Sequence, residues 1–177
     1  MSLEEKQHLL ADVQDDNEII TLISEELIKF PVEKKIARYS KLIKTIIDGD
    51  AVSQNISLST VKARTLTKII EYLKYHDKHG FSEIVRPLKS ADMTENVSEF
   101  DASFIDVEQE YLFEIISTSN YMDIKNLLDL GCAAVAAKLK GKTPEEIRRE
   151  FNIQNDFTPE EEEAIRAENH WANEVTS

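Results

Sequence analysis

The spacing of apolar side chains changes period several times along the chain, and each change marks an element. In EIITLISEELIKFP, β-rich runs at 18–23 and 27–30 flank Ser24-Glu25-Glu26, predicting two strands and a tight link that lacks the Asn-Gly hairpin signal. In VEKKIARYSKLIKTIIDG the period becomes helical. Ile36, Tyr39, Leu42, Ile43, Ile46 and Ile47 share one face, and Lys34, Lys35, Arg38, Lys41 and Lys44 occupy much of the other. One amphipathic helix is expected, ending near Asp48 with Gly49 as its stop. NISLS at 55–59 suits a short strand. Ser59 or Thr60 is then placed to cap a helix striped by Leu66, Ile69, Ile70 and Leu73. Residues 76–103 show no sustained period and contain Gly80 and Pro87, so they read as a long loop.

Regularity returns at Val107. Val107, Tyr111, Leu112, Ile115 and Ile116 fall on one helical face. Leu127, Leu128, Cys132, Val135 and Leu139 form the next stripe, with Gly141 where a C-terminal cap belongs. Gly131 lies inside that stripe. It costs about 1 kcal/mol relative to Ala, or else marks a break between helices or a close backbone approach. The order of strands, helix, strand, helix, loop and helices indicates an α+β fold, a small sheet packed on a helical cluster. No repeat is visible.

The tail repeats one signal. Thr143-Pro144-Glu145-Glu146 recurs as Thr158-Pro159-Glu160-Glu161. In each, Thr is an N-cap, Pro occupies the first helical position, and the second Glu completes a capping box. The glutamates also suit the positive end of the helix dipole. Apolar content is thin: Ile147, Phe151 and Ile153 for the first helix, then Ala164, Ile165 and Trp171. Burying one large side chain is worth roughly 1.5–3 kcal/mol, enough to dock a helix but not to hold a separate domain. The segment therefore either packs on the preceding core or is completed by a partner.

Composition narrows the classes. Hydrophobic residues make up 41% of 177, enough for a real core, and 21 basic against 34 acidic residues give a net charge of −13. That charge disfavours nucleic acid and anionic membranes as partners. Cys132 is the only cysteine, so no intramolecular disulfide forms, which fits a reducing setting. No apolar run reaches the roughly 20 residues that span a bilayer, and MSLEEKQHLL lacks a signal peptide's apolar stretch. The chain is expected to be soluble and intracellular.

Candidate chemistry is sparse. His76-Asp77-Lys78-His79 has H-x-x-H spacing, but no third metal ligand is evident, and a helix end with solvated histidines explains it better. The run at 160–163 could supply paired carboxylates, but dipole and cap account for it. Cys132 sits on an apolar stripe, where a small buried hydrophobe is the default. Four glycines leave little room for a phosphate loop. No cofactor or catalytic residue is assigned; an acid–base hydrolase using Glu and His is the enzymatic rival.

NYMDIKNLLDLGC, KGKTPEEIRREFNIQNDFTPEEEEAIRAENHW and YLFEI resemble the S-phase-kinase-associated, Skp-type adaptors of Skp–cullin–F-box (SCF) ubiquitin ligases. The likeness is dense from Val107 to Trp171, looser over SLSTVKARTLTKIIEYLKYH, and weakest over 1–55. It implies a BTB/POZ-type domain at 16–128 with a mobile loop at 76–103, after a disordered extension at 1–15. A C-terminal two-helix F-box-binding extension then spans 129–177. It further implies a non-catalytic adaptor, cytoplasmic and nuclear, bridging a cullin to F-box proteins, and it allows the homodimer through the POZ surface that some relatives form when free.

Carried over by position, Asn120 and Tyr121 fall on the family's cullin-contacting pair, and Phe113, one helix earlier, on the same face. Leu128, Cys132, Val135 and Leu139 match the helix that meets the F-box. Ile147, Phe151, Ile153, Asn155, Phe157 and Trp171 match the extension that wraps it. Pro144 matches a proline that is hydroxylated and glycosylated in some relatives. The loop at 76–103 is less acidic and less proline-rich than the family's, Phe100 stands where tryptophan is common, and the N-terminal extension is longer. An elongin C-like POZ adaptor, which lacks the extension, and an F-box partner outside a ligase are the alternatives.

Overall fold

The computed structural model describes residues 18–49 and 54–168. The expected N-terminal extension and Trp171 lie outside them. Two compact units divide at Lys140/Gly141; the boundary expected after residue 128 falls inside a continuous helix.

In the first unit, β1 (Ile19–Ile23), β2 (Lys29–Glu33) and β3 (Asn55–Ser57) form a mixed sheet in the order β2-β1-β3. β1 pairs antiparallel with β2 and parallel with β3. Period-two alternation places Ile20 and Leu22 in the core and leaves Ile19 exposed. The second strand lies later than its apolar residues suggest. The link runs from Ser24 to Ile28, closed by Ser24 N–H to Ile28 O (3.0 Å) and Leu27 N–H to Ser24 O (2.9 Å). Leu27 takes a φ of 63° at the turn, so Leu27 and Ile28 face solvent although their composition reads as strand. Pro31 is tolerated because β2 is an edge strand.

The expected single helix at 34–49 is two: α1 (Lys34–Ala37) and α2 (Lys41–Gly49). Ser40 breaks it. Its hydroxyl accepts the Ile43 N–H (3.2 Å) and donates to Met122 O (2.5 Å), so local capping and a long-range bond together win over helical continuity. Neither Ser59 nor Thr60 caps α3 (Ala63–His79), which starts after Lys62. Its first N–H is instead taken by the Glu26 carboxylate from the β1–β2 link (2.8 Å). The predicted stripe Leu66, Ile69, Ile70 and Leu73 is buried.

The expected loop at 76–103 is shorter. α3 runs through His79, a 3₁₀ turn covers Met93–Glu95, and α4 spans Glu99–Ile105. Ser98 caps α4 by accepting from Asp101 N–H (3.1 Å). Two helical turns are too few to register as a period. Their anchor is aromatic: Phe100 stacks on Tyr75 with centroids 3.5 Å apart. α5 (Gln109–Tyr121) and α6 (Lys125–Leu139) complete the core with Leu112, Ile115, Met122 and Leu127, all fully buried. Gly131 is neither a break nor a flaw. A Cβ there would sit 2.5 Å from Ile116 Cγ1, so it is the close-approach point between α5 and α6.

The second unit contains α7 (Pro144–Glu150) and α8 (Pro159–Glu168). Neither has a buried residue.

Candidate protein-interaction surfaces

α5 exposes one face. Phe113, Ser117, Asn120 and Tyr121 recur at i, i+4, i+7 and i+8, and Phe113 and Tyr121 are 42% and 45% exposed. Phe113 thus lies on the same helix as Asn120 and Tyr121, not one helix earlier. The opposite face supplies Leu112, Ile115 and Ser119 to the interior, so the exposed aromatics are not core residues that failed to pack.

Both ends of α5 are pinned. At the first, the Glu114 carboxylate accepts from Arg64, Thr65 Oγ1 and Lys62 Nζ, the last at 3.1 Å. Tyr111 Oη donates to Arg64 O (3.1 Å) under the Arg64 guanidinium. The hydrogen bond from Arg64, joined by those of Thr65 and Lys62, holds the Glu114 carboxyl down to about 2. At the other end, Asp123 adopts a φ of 50° and Ile124 N–H reaches back to Ser119 O (2.9 Å), a left-handed helix stop that Asp tolerates. The Ser40 hydroxyl and the Leu42 N–H both donate to Met122 O there. The exposed face of α5 is therefore held at fixed orientation.

α6 turns Leu127, Leu130, Gly131, Ala134 and Ala137 inward. The expected stripe is offset from this face. Leu128, Val135 and Leu139 are half-buried, and Cys132 is exposed rather than a small buried hydrophobe. One position is 100° of rotation, which carries Cys132 away from the core that Gly131 enters. Cys132 and Leu139 line an open apolar groove of 680 Å³ with Ala136, Ile84, Pro87 and Leu88.

In the second unit both capping boxes form. Thr143 Oγ1 accepts Glu146 N–H (3.2 Å) and Glu146 accepts Thr143 N–H (2.8 Å); Thr158 and Glu161 do the same at 3.3 and 2.9 Å. α7 ends with Asn152 at φ 51° and Ile153 N–H bonded to Arg148 O (2.8 Å). Polar clamps then join the two helices: Glu162 receives Arg148 (3.1 Å) and Asn155 (2.9 Å), and Arg166 reaches Glu145 (3.0 Å). Ile147 and Phe151 are half-buried, while Ile153 and Phe157 are 53% and 47% exposed. Pro144 is exposed. The unit is defined by caps and ion pairs, and it displays its apolar side chains.

The H-x-x-H histidines part company. His76 is buried between Asp101 (Nε2 to Oδ1, 2.8 Å) and Gly80 O (Nδ1, 2.6 Å), whereas His79 is exposed. Among the described residues, no three His, Cys, Asp or Glu side chains cluster as metal ligands, and no helix is long and apolar enough to cross a membrane. Sequence reasoning missed Glu114, Ser40 and the 84–88 wall of the groove. Each acts through contacts at least 40 residues away, which no local period reports.

Comparison with known proteins bears on both units. Residues 7–78 match the Skp1 family tetramerisation domain, and residues 125–172 match the Skp1 family dimerisation domain. The chain is 48% identical over 159 residues to an S-phase kinase-associated protein 1 homolog of Tetrahymena thermophila, covering 89% of this chain and 96% of that protein. SKP1-like protein 11 of Arabidopsis thaliana is 46% identical over 88% of this chain and 97% of its own length. An E3 ubiquitin ligase complex SCF subunit, sconC, of Arthroderma otae is 46% identical over 86% and 93%.

Proposed function

The chain belongs to the Skp1 family, and on that premise we propose that it is the adaptor subunit of an SCF ubiquitin ligase, joining a cullin scaffold to F-box substrate receptors. It performs no bond chemistry. Its contribution is positional: holding a substrate receptor on the scaffold raises the local concentration of the substrate lysine near the ubiquitin-charged enzyme. It works in the cytoplasm and nucleus, and when free it pairs through its POZ surface.

The observation that carries this reading is the separation of exposed and half-buried residues outside the core into sets with different supports. Phe113, Asn120 and Tyr121 stand on a helix pinned at both ends, as a fixed cullin contact requires. Cys132 and Leu139 on α6, then Ile147, Phe151, Ile153 and Phe157 in the second unit, stand ready for the receptor. Asn155 acts there by fixing the turn before α8 through Glu162. Pro144, exposed at the first position of α7, is open to a hydroxylase. A POZ adaptor without the extension is disfavoured, because it would have no use for two fully capped helices after residue 142.

Co-purification tests the assignment. Asn120→Ala with Tyr121→Ala reduces cullin recovery and spares F-box proteins. Phe151→Ala with Trp171→Ala does the reverse. Equal loss of both partners in the α5 variant would indicate misfolding, and unchanged F-box recovery in the second would refute the receptor site.

A further inference from the structure

The groove on α6 has a second wall made by residues 84–88. This strap is tied to the helix at two points: Arg86 donates to Asp129 Oδ1 (2.7 Å), and Lys140 Nζ donates to Leu88 O (2.8 Å). Between the ties, Ile84, Pro87 and Leu88 face Cys132, Ala136 and Leu139 across the open groove. We propose that the strap is part of the receptor-docking surface, and that an amphipathic helix of the F-box protein lies along the groove between residues 84–88 and α6. This rests on the reading of α6 as the receptor-facing helix and extends it to a segment that the family resemblance left as loop.

Four observations carry the proposal. Cys132 and Leu139, both on the receptor-facing helix, line this groove, so a chain seated on them meets the strap. The dimensions suit a helix. From Asp129 to Lys140 the groove follows α6 for about 16 Å, roughly three turns, and Cys132, Ala133 and Ala136 allow an approaching helix axis to come within about 8–10 Å. The groove is also preformed. The ties hold the strap beside α6 and not over it, leaving Cys132 and Ala136 exposed, so no segment must be expelled before docking. On the rim, Arg86 and Lys140 outnumber Asp129 in a chain of net charge −13, which favours an acidic position on the bound helix beside Lys140. Strap side chains then discriminate among receptors, since Leu88 and Pro87 contact whatever residues flank the apolar stripe of each.

The test uses the full chain, an F-box domain recovered with it, and a cullin N-terminal fragment, with affinities measured by calorimetry. Leu88→Ser weakens F-box binding by about tenfold and leaves cullin affinity unchanged. Arg86→Ala, on the surface, removes one of the strap's two ties and weakens F-box binding in the same direction. Unchanged cullin affinity shows that each variant is folded. Wild-type F-box affinity in both strap variants, with binding lost in Ala136→Glu, would overturn the strap's role and leave the adaptor reading intact. Wild-type affinity in Ala136→Glu as well would remove α6 from the receptor site altogether. Strap variants that alter only the sedimentation of the free chain would show that a second copy occupies the groove, and the proposal would fall.

Discussion

Gly131→Ala is expected to destabilise the protein although Ala is the better helix former. Replacing Gly by Ala inside α6 gains about 1 kcal/mol in propensity. The new methyl, however, lands 2.5 Å from Ile116 Cγ1 and 3.3 Å from its Cδ1, against an optimum near 3.5–4.0 Å. Ile116 is β-branched and sits in a helix, where one χ1 rotamer dominates, so its Cγ1 cannot swing aside cheaply. The helices must part instead, and such overpacking costs about 1–3 kcal/mol. The net expectation is a loss of about 1 kcal/mol. The control is Ile116→Ala, which removes the clashing carbons and leaves only the Cβ, 3.7 Å away. In that background Gly131→Ala becomes stabilising by about 1 kcal/mol, so the sign of the effect reverses. Urea unfolding followed by circular dichroism reads both as shifts in midpoint. Stabilisation by Gly131→Ala in the parent chain, or the same sign in both backgrounds, would refute the close approach of α5 and α6.

Glu114 is depressed from 4.5 to about 2, so its contribution is complete above about pH 4.5 and lost as pH falls toward 2. At 1.36 kcal/mol per unit the ceiling is about 3 kcal/mol, and screening by the half-exposed Lys62 and Arg64 lowers it to about 1–2 kcal/mol. Glu114→Gln is therefore less stable than the parent at pH 7 and converges with it near pH 2 in acid-unfolding curves; parallel curves would contradict the network. Thr143→Ala removes a cap worth about 1 kcal/mol, so α7 is less populated in the free chain and receptor affinity falls by up to about fivefold. Calorimetry with an F-box domain measures it, and an unchanged constant would mean that α7 is not ordered for binding.

Sequence reasoning reached what is local and periodic. The stripes of α3 and α5, the alternation of β1, the stop at Gly141 and both capping boxes depend on residues within one or two turns of each other, and all are present. It failed where a distant residue decides. Ser40 splits a continuous apolar stripe because Met122 O is there to receive its hydroxyl. Glu26, in a link, caps α3 from 37 residues away. α4 is too short for its period to show and is held by Phe100 on Tyr75. The surfaces were legible in part. Phe113, Asn120 and Tyr121 are exposed together on α5, but Cys132 looked buried because a stripe counted from Leu128 runs about 100° off the true core face. The strap at 84–88 has no period and becomes visible only through Arg86 and Lys140, which bind residues 43 and 52 positions away.

As the proposed adaptor, this chain joins two partners that do not otherwise meet. An F-box receptor immobilised alone should retain no cullin N-terminal fragment, and adding this chain should make retention stoichiometric. The Asn120→Ala/Tyr121→Ala variant should bind the receptor yet fail to bring the cullin with it. Cullin retention without the chain, or competition between cullin and receptor for it, would contradict the bridging role.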